Sequence, residues 1–122
     1  MALQLPLPEV PESRQYNSAG NQQASFLIVP GVSDYVTGGY VITALQCRMK
    51  NIFAVSIDGQ NAAVLTGQWN AFIQLNATAS ASGLALPVTS FNFWVALATS
   101  GVQLSASTNL TGAIWTVSIT GY

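Results

Sequence analysis

The sequence predicts an all-β protein: an antiparallel β-sandwich or barrel, jelly-roll-like, with an extended Pro-rich N-terminal arm and at most one short helical turn. Three observations lead there. Apolar and polar residues alternate with period two in several segments, the pattern of strands with one buried face. Clusters of Gly, Ser, Asn and Asp separate those segments, as turns between strands require. No stretch carries the 3.6-residue periodicity of a long amphipathic helix.

The elements follow in chain order. Residues 1–23 hold three of the five prolines, Pro6, Pro8 and Pro11. Proline removes a backbone donor and favours extended geometry, so 1–23 reads as an arm and 24–122 as the β domain. Leu3, Leu5 and Leu7 alternate in this arm and Val10 follows, a pattern more apolar than a solvated linker. Extended, the arm reaches about 70 Å, and it is expected to dock on another chain rather than fold back on its own. Candidate strands then occupy residues 24–29, 40–43, 52–58, 62–66, 69–77, 91–98, 102–107 and 113–120. The alternation is clearest where Trp69, Ala71, Ile73 and Leu75 share one face, where Phe91, Phe93, Val95 and Leu97 do, and where Ala113, Trp115, Val117 and Ile119 do. DGQN (58–61), SASG (80–83), SG (100–101) and NLTG (109–112) supply turns. Residues 43–51, TALQCRMKN, lack alternation and contain helix formers, so the one helical turn falls there.

Composition excludes several classes of chemistry. The 122 residues include three basic, four acidic and no histidine side chains, with one cysteine. Charged residues are 6% of the chain, against about 25% in an ordinary globular domain, while 50% are apolar and the mean hydropathy is +0.41. Without histidine, Ser-His-Asp and Cys-His catalysis and histidine metal sites are closed. A lone Cys47 makes neither an intrachain disulfide nor a thiolate cluster. Three cations cannot track a phosphate backbone, so no nucleic acid is expected as partner. The longest dense apolar run, residues 91–98, is far short of the roughly 20 residues of a spanning helix. The N-terminus lacks the basic start and apolar core of a secretory signal. No membrane partner and no cofactor are expected.

The remaining candidates for chemistry are few. Asp34 and Asp58 are the carboxylates outside the arm, and a close pair could hydrolyse a glycoside, but Asp58 reads better as the start of an Asp-Gly turn. Cys47 lies beside Arg48 and Lys50, which lower a thiol pKa, yet it has no base and reads as a small packed side chain. Asn76-Ala77-Thr78 and Asn109-Leu110-Thr111 match the glycosylation pattern by chance and turn chemistry. Trp69 and Trp115 belong to apolar faces. Trp94 does not: with Asn92 it lies opposite Phe93 and Val95, and it is expected at a subunit interface.

SDYVTGGYVIT (33–43), LQCRMKNI (45–52), FAVSIDG (53–59) and the closing NLTGAIWTVSITGY (109–122) resemble small virion structural proteins of tailed bacteriophages, of the head decoration or cement type. Tyr35, Thr37, Gly38 and Gly39 carry the resemblance at its start. Leu110, Thr111, Gly112, Gly121 and Tyr122 carry it at its end. The likeness implies β-sandwich subunits, commonly homotrimers, on the outer surface of the capsid, where they clamp neighbouring capsomers of the major capsid protein. No enzymatic activity is implied. In such a subunit Leu3, Leu5, Leu7 and Val10 would anchor the arm in capsid grooves, and Trp94 and Asn92 would serve protomer contacts. The alternative is a tail or head-fibre module that binds host-surface glycans through exposed aromatics.

Overall fold

The computed structural model describes residues 7–77, 79–80, 83–84 and 86–122. Leu3 and Leu5 lie outside the described residues, as does the middle of the SASG turn. The strands are β1 (Gln15–Tyr16), β2 (Gln22–Ile28), β3 (Tyr40–Thr43), β4 (Ile52–Gln60), β5 (Trp69–Leu75), β6 (Ala79–Ser80), β7 (Gly83–Leu84), β8 (Ser90–Leu97) and β9 (Trp115–Gly121). They form two main sheets, ordered β1-β2-β9-β4 and β3-β8-β5, with β6 and β7 paired separately. Every pairing is antiparallel. Successive strands β2, β3, β4 and β5 alternate between the sheets, and β8 and β9 return between them. That is jelly-roll wiring.

Alternation places the core where the sequence puts it. Phe91, Phe93 and Val95 on β8 and Trp115, Val117 and Ile119 on β9 are fully buried, because β8 and β9 are the central strands of their sheets. Ala24, Phe26 and Ile28 join them from β2. The Trp115 ring meets Phe93 edge-on, 5.2 Å between centroids. On β5 the expected inward set, Trp69, Ala71, Ile73 and Leu75, packs against this core but is only partly buried.

Several local expectations change. Residues 62–66 are not a strand but part of α1 (Ala62–Gly67). Ala62, Ala63 and Leu65 favour helix, and the turn carries the chain from β4 in one sheet to β5 in the other. The helical turn expected within residues 43–51 forms as a 3₁₀ turn at Leu45–Cys47. Residues 102–107 form only a single bridge, Gln103 to Ala96. Nor do Asp58 and Gly59 turn: β4 continues through a bulge between Ile57 and Gly59 and pairs on to Trp115. Local turn propensity loses there to the ladder with β9.

The arm is the largest difference. From Leu7 onward it is part of the domain. Pro8 O accepts from Leu27 N (2.8 Å), Val10 N donates to Ser25 O (2.9 Å), and Glu9 bridges Phe26 antiparallel. Residues 8–10 and β1 thus cover the outer edge of β2, and Leu7, 4% exposed, enters the core. The expected boundary at residue 23 falls inside β2.

Candidate functional site

Tyr35, Thr37, Gly38 and Gly39 lie in the β2–β3 connection, and the structure explains the types of Tyr35, Gly38 and Gly39. Tyr35 is buried, and its hydroxyl both accepts from Val95 N (3.0 Å) and donates to Val95 O (3.2 Å), pinning the loop to β8. Gly38 N donates to Gln103 Oε1 (2.8 Å) and Gly38 O accepts from Asn92 Nδ2 (3.0 Å). Gly38 and Gly39 have φ of 95° and 89°, a region that disfavours any side chain. Thr37 is exposed. The segment is a structural staple, with its polar groups spent inside the chain.

Asp34, Asp58 and Glu9 are spent likewise. Asp34 accepts from Gly31 N (2.9 Å) and Tyr40 Oη (2.7 Å), closing its own loop. Asp58 accepts from Ser56 Oγ (3.1 Å) and from Ser118 Oγ on β9. Asn109 Oδ1 accepts from Thr111 N (3.0 Å), the turn chemistry expected of NLTG. Glu9 pairs with both Arg14 (2.6 Å) and Arg48. Arg14 reaches on to Cys47 O (2.9 Å) and to Gln22. These contacts tie the N-terminal segment to the 3₁₀ turn.

Cys47 is fully buried. Burial pushes its thiol up to about 12 from an ordinary 9.0, against the opposing pull of Arg14. Burial also raises Tyr35, opposed by its Val95 hydrogen bond, and raises Tyr40, with the Asp34 hydrogen bond adding to the effect. All three groups hold their protons more tightly folded than unfolded, so folding stability is full below the unfolded values and falls as pH rises through the folded ones. Urea midpoints should therefore be level up to about pH 9 and decline steadily above it. A midpoint that stayed level far into the alkaline range would contradict the burial of these groups.

What remains for an external partner is surface. Val41, Asn92, Trp94 and Phe72 stand on the outer face of β3-β8-β5. Trp94 sits directly across from Phe72 in register, and the two rings stack at 4.4 Å with 21° between planes. Asn92 is half-buried, held by Gly38 O and by Asn76 Nδ2 (2.8 Å). Val41, 57% exposed, pairs with Asn92 from β3. Beyond it Val41, Thr43, Leu45, Lys50 and Thr89 line a groove of about 450 Å³, where Leu45 is 79% exposed. No strand residue on this face is charged. The outer face of the other sheet carries Gln23, Ser25, Thr116, Ser118, Thr120 and Ser56, with Asp58 at its margin.

Of the residues expected to anchor the arm elsewhere, Leu7 is in this chain's own core, and Val10 is fixed to the edge of β2. Neither is free to enter a groove on another protein. Sequence reasoning placed Trp94 opposite the apolar face of its strand but did not pair it with Phe72; the β5–β8 register does. Val41 and Leu45 were missed, although Val41 alternates with the buried Tyr40 and Ile42. No family model, curated protein or solved structure matches the chain.

Proposed function

We propose that this protein is a virion structural protein, a decoration or cement subunit on the outer surface of a bacteriophage head. It reinforces the head by non-covalent contacts with the major capsid protein and with copies of itself. The observation that carries this reading is the uncharged, partly apolar outer face of β3-β8-β5, with Val41, Phe72 and Trp94 at its centre. Free soluble proteins keep such faces charged and guard their strand edges; a face left apolar marks a contact surface. A sheet face is broad and suits a shell surface, so Trp94 and its neighbours are assigned to the capsid. Apolar burial yields about 25 cal/mol per Å², and attachment at many points multiplies weak single contacts. Spent carboxylates and an inert thiol support a structural role over an enzymatic one. In the glycan-binding alternative an open aromatic plane is needed, whereas Phe72 and Trp94 each cover one face of the other's ring.

Trp94→Asp puts a carboxylate in the middle of this face. The variant should fold, keep its oligomeric mass and lose occupancy on purified capsids by at least about tenfold, the equivalent of 1.4 kcal/mol. Undiminished occupancy would contradict the assignment. A drop in mass would instead return Trp94 and Asn92 to the protomer contact expected from their strand position.

A further inference from the structure

The outer face of β3-β8-β5 ends in the groove lined by Val41, Thr43, Leu45, Lys50 and Thr89. Its walls are formed by contacts within the chain. Thr43 Oγ1 accepts from Gln46 N (3.3 Å), and Gln46 Oε1 accepts from Thr43 N (2.9 Å), the reciprocal bonds of a capping box. Ala44 N donates to Thr89 O (2.8 Å), Met49 N to Ala44 O (2.9 Å) and Lys50 N to Tyr122 O (2.6 Å). Buried Ala44, Cys47 and Met49 hold the 3₁₀ turn against the core and leave Leu45 as its outward apolar side chain. A groove of about 450 Å³ lies in the size range of ligand sites, and walls already in place need little ordering on binding.

The polar side chains of the groove are donors. Lys50 is exposed, and among the described residues it is the one basic side chain without a carboxylate in ion-pair distance, since Arg14 and Arg48 both pair with Glu9. An ammonium donates and never accepts. Thr43 and Ser90, which also lines the groove, stand opposite each other across β3 and β8. Each hydroxyl already accepts one bond, Thr43 from Gln46 N and Ser90 from Asn76 Nδ2 (2.9 Å). Each therefore keeps a proton to donate. The groove combines apolar walls, one positive charge and outward donors, and no acidic residue lines it.

We infer that the groove takes a segment of the major capsid protein that presents an apolar side chain beside an Asp or Glu carboxylate. The inference rests on the decoration reading and specifies the chemistry of the capsid's side of that contact. Val41 belongs both to the face and to the groove, so a surface that covers Phe72 and Trp94 is continuous with one that fills the groove. An uncharged surface laid over Lys50 would strand an ammonium away from water, which is costly. A carboxylate accepts and does not donate, so it suits the ammonium and the two hydroxyls. Its apolar neighbour then covers Val41 and Leu45, the side chains otherwise left in water.

The test reads occupancy on purified capsids for the full chain and for single substitutions at exposed positions, which should leave the far-UV spectrum unchanged. Lys50→Glu sets two carboxylates against each other and should lower occupancy about tenfold. Leu45→Ser removes an apolar wall and should lower it by a similar factor. Lys50→Gln and Gln23→Glu change the net charge equally, but Gln23 lies on the outer face of the other sheet. Lys50→Gln should lower occupancy and weaken its dependence on salt, whereas Gln23→Glu should do neither. Undiminished occupancy with Lys50→Glu or Leu45→Ser overturns the inference, as do equal effects of Lys50→Gln and Gln23→Glu. If Trp94→Asp lowers occupancy and Lys50→Glu does not, the groove's occupant falls and the decoration reading stands. A full chain that binds no capsid overturns both.

Discussion

A chain that begins at Gln15 is expected not to hold its fold at 25 °C. The reason lies in what residues 7–14 do. Leu7 is 4% exposed in the main core, and removing a buried leucine side chain costs about 2–5 kcal/mol. Arg14 joins Glu9, Gln22 and Cys47 O while nearly buried itself, and hydrogen bonds to a charged group are worth about 1.5–3 kcal/mol. Together these losses are on the order of 5–8 kcal/mol, comparable with the whole stability of a typical domain, about 5–15 kcal/mol. The truncation also bares the β2 edge, which invites aggregation. Leu7→Ala alone should lower the unfolding free energy by about 2–4 kcal/mol. A Gln15-start chain melting cooperatively near the full-length temperature would contradict this account of the N-terminal segment.

Gly39→Ala should be among the most damaging single-methyl changes at the described glycines. A Cβ at Gly39 would stand 2.6 Å from Trp94 Cβ and 2.7 Å from Trp94 Cα, and closer still to the Phe93 carbonyl. These are central-strand atoms that cannot step aside without disturbing Phe93 and Val95 behind them. The left-handed backbone at Gly39 adds about 1–2 kcal/mol for any L side chain. The expected loss is about 3 kcal/mol or more, read as a shift in the urea midpoint. Gly38→Ala is the control: it shares the positive φ, but a Cβ there meets nothing within 4 Å. It should cost only the backbone share, about 1–2 kcal/mol. Equal effects at the two positions would show that the close approach to β8 is not what requires glycine at 39.

What could be read from the sequence follows from which interactions are local. The alternation of Phe91, Phe93 and Val95 and of Trp115, Val117 and Ile119 fixed both central strands and their inward faces, because period two is written along the chain. The outward position of Trp94 followed from the same pattern. Leu7 was legible as an apolar residue needing cover, but not as one that finds it on its own β2, since an alternating segment pairs with any free edge. Asp58-Gly59 has turn chemistry and Ala62–Thr66 holds a β-branched pair. Both were decided by the β4–β9 ladder and by the step between sheets, which are long-range. The roles of Tyr35 and Gly39 depend on β8, more than fifty residues away, so their types were visible and their reasons were not. The Phe72–Trp94 stack needed the β5–β8 register.

The low charge of the sequence also acquires a location. Glu9, Arg14 and Arg48 hold the N-terminal segment to the domain, and Asp34 closes a loop. Little charge is left for the sheet faces, as the assembly reading requires. The most direct measurement of that reading is cryo-microscopy of the phage particles made with this chain. The account predicts β-sandwich density outside the capsid shell, with the β3-β8-β5 face turned toward the major capsid protein. Shells carrying none of this protein on their outer surface would contradict it.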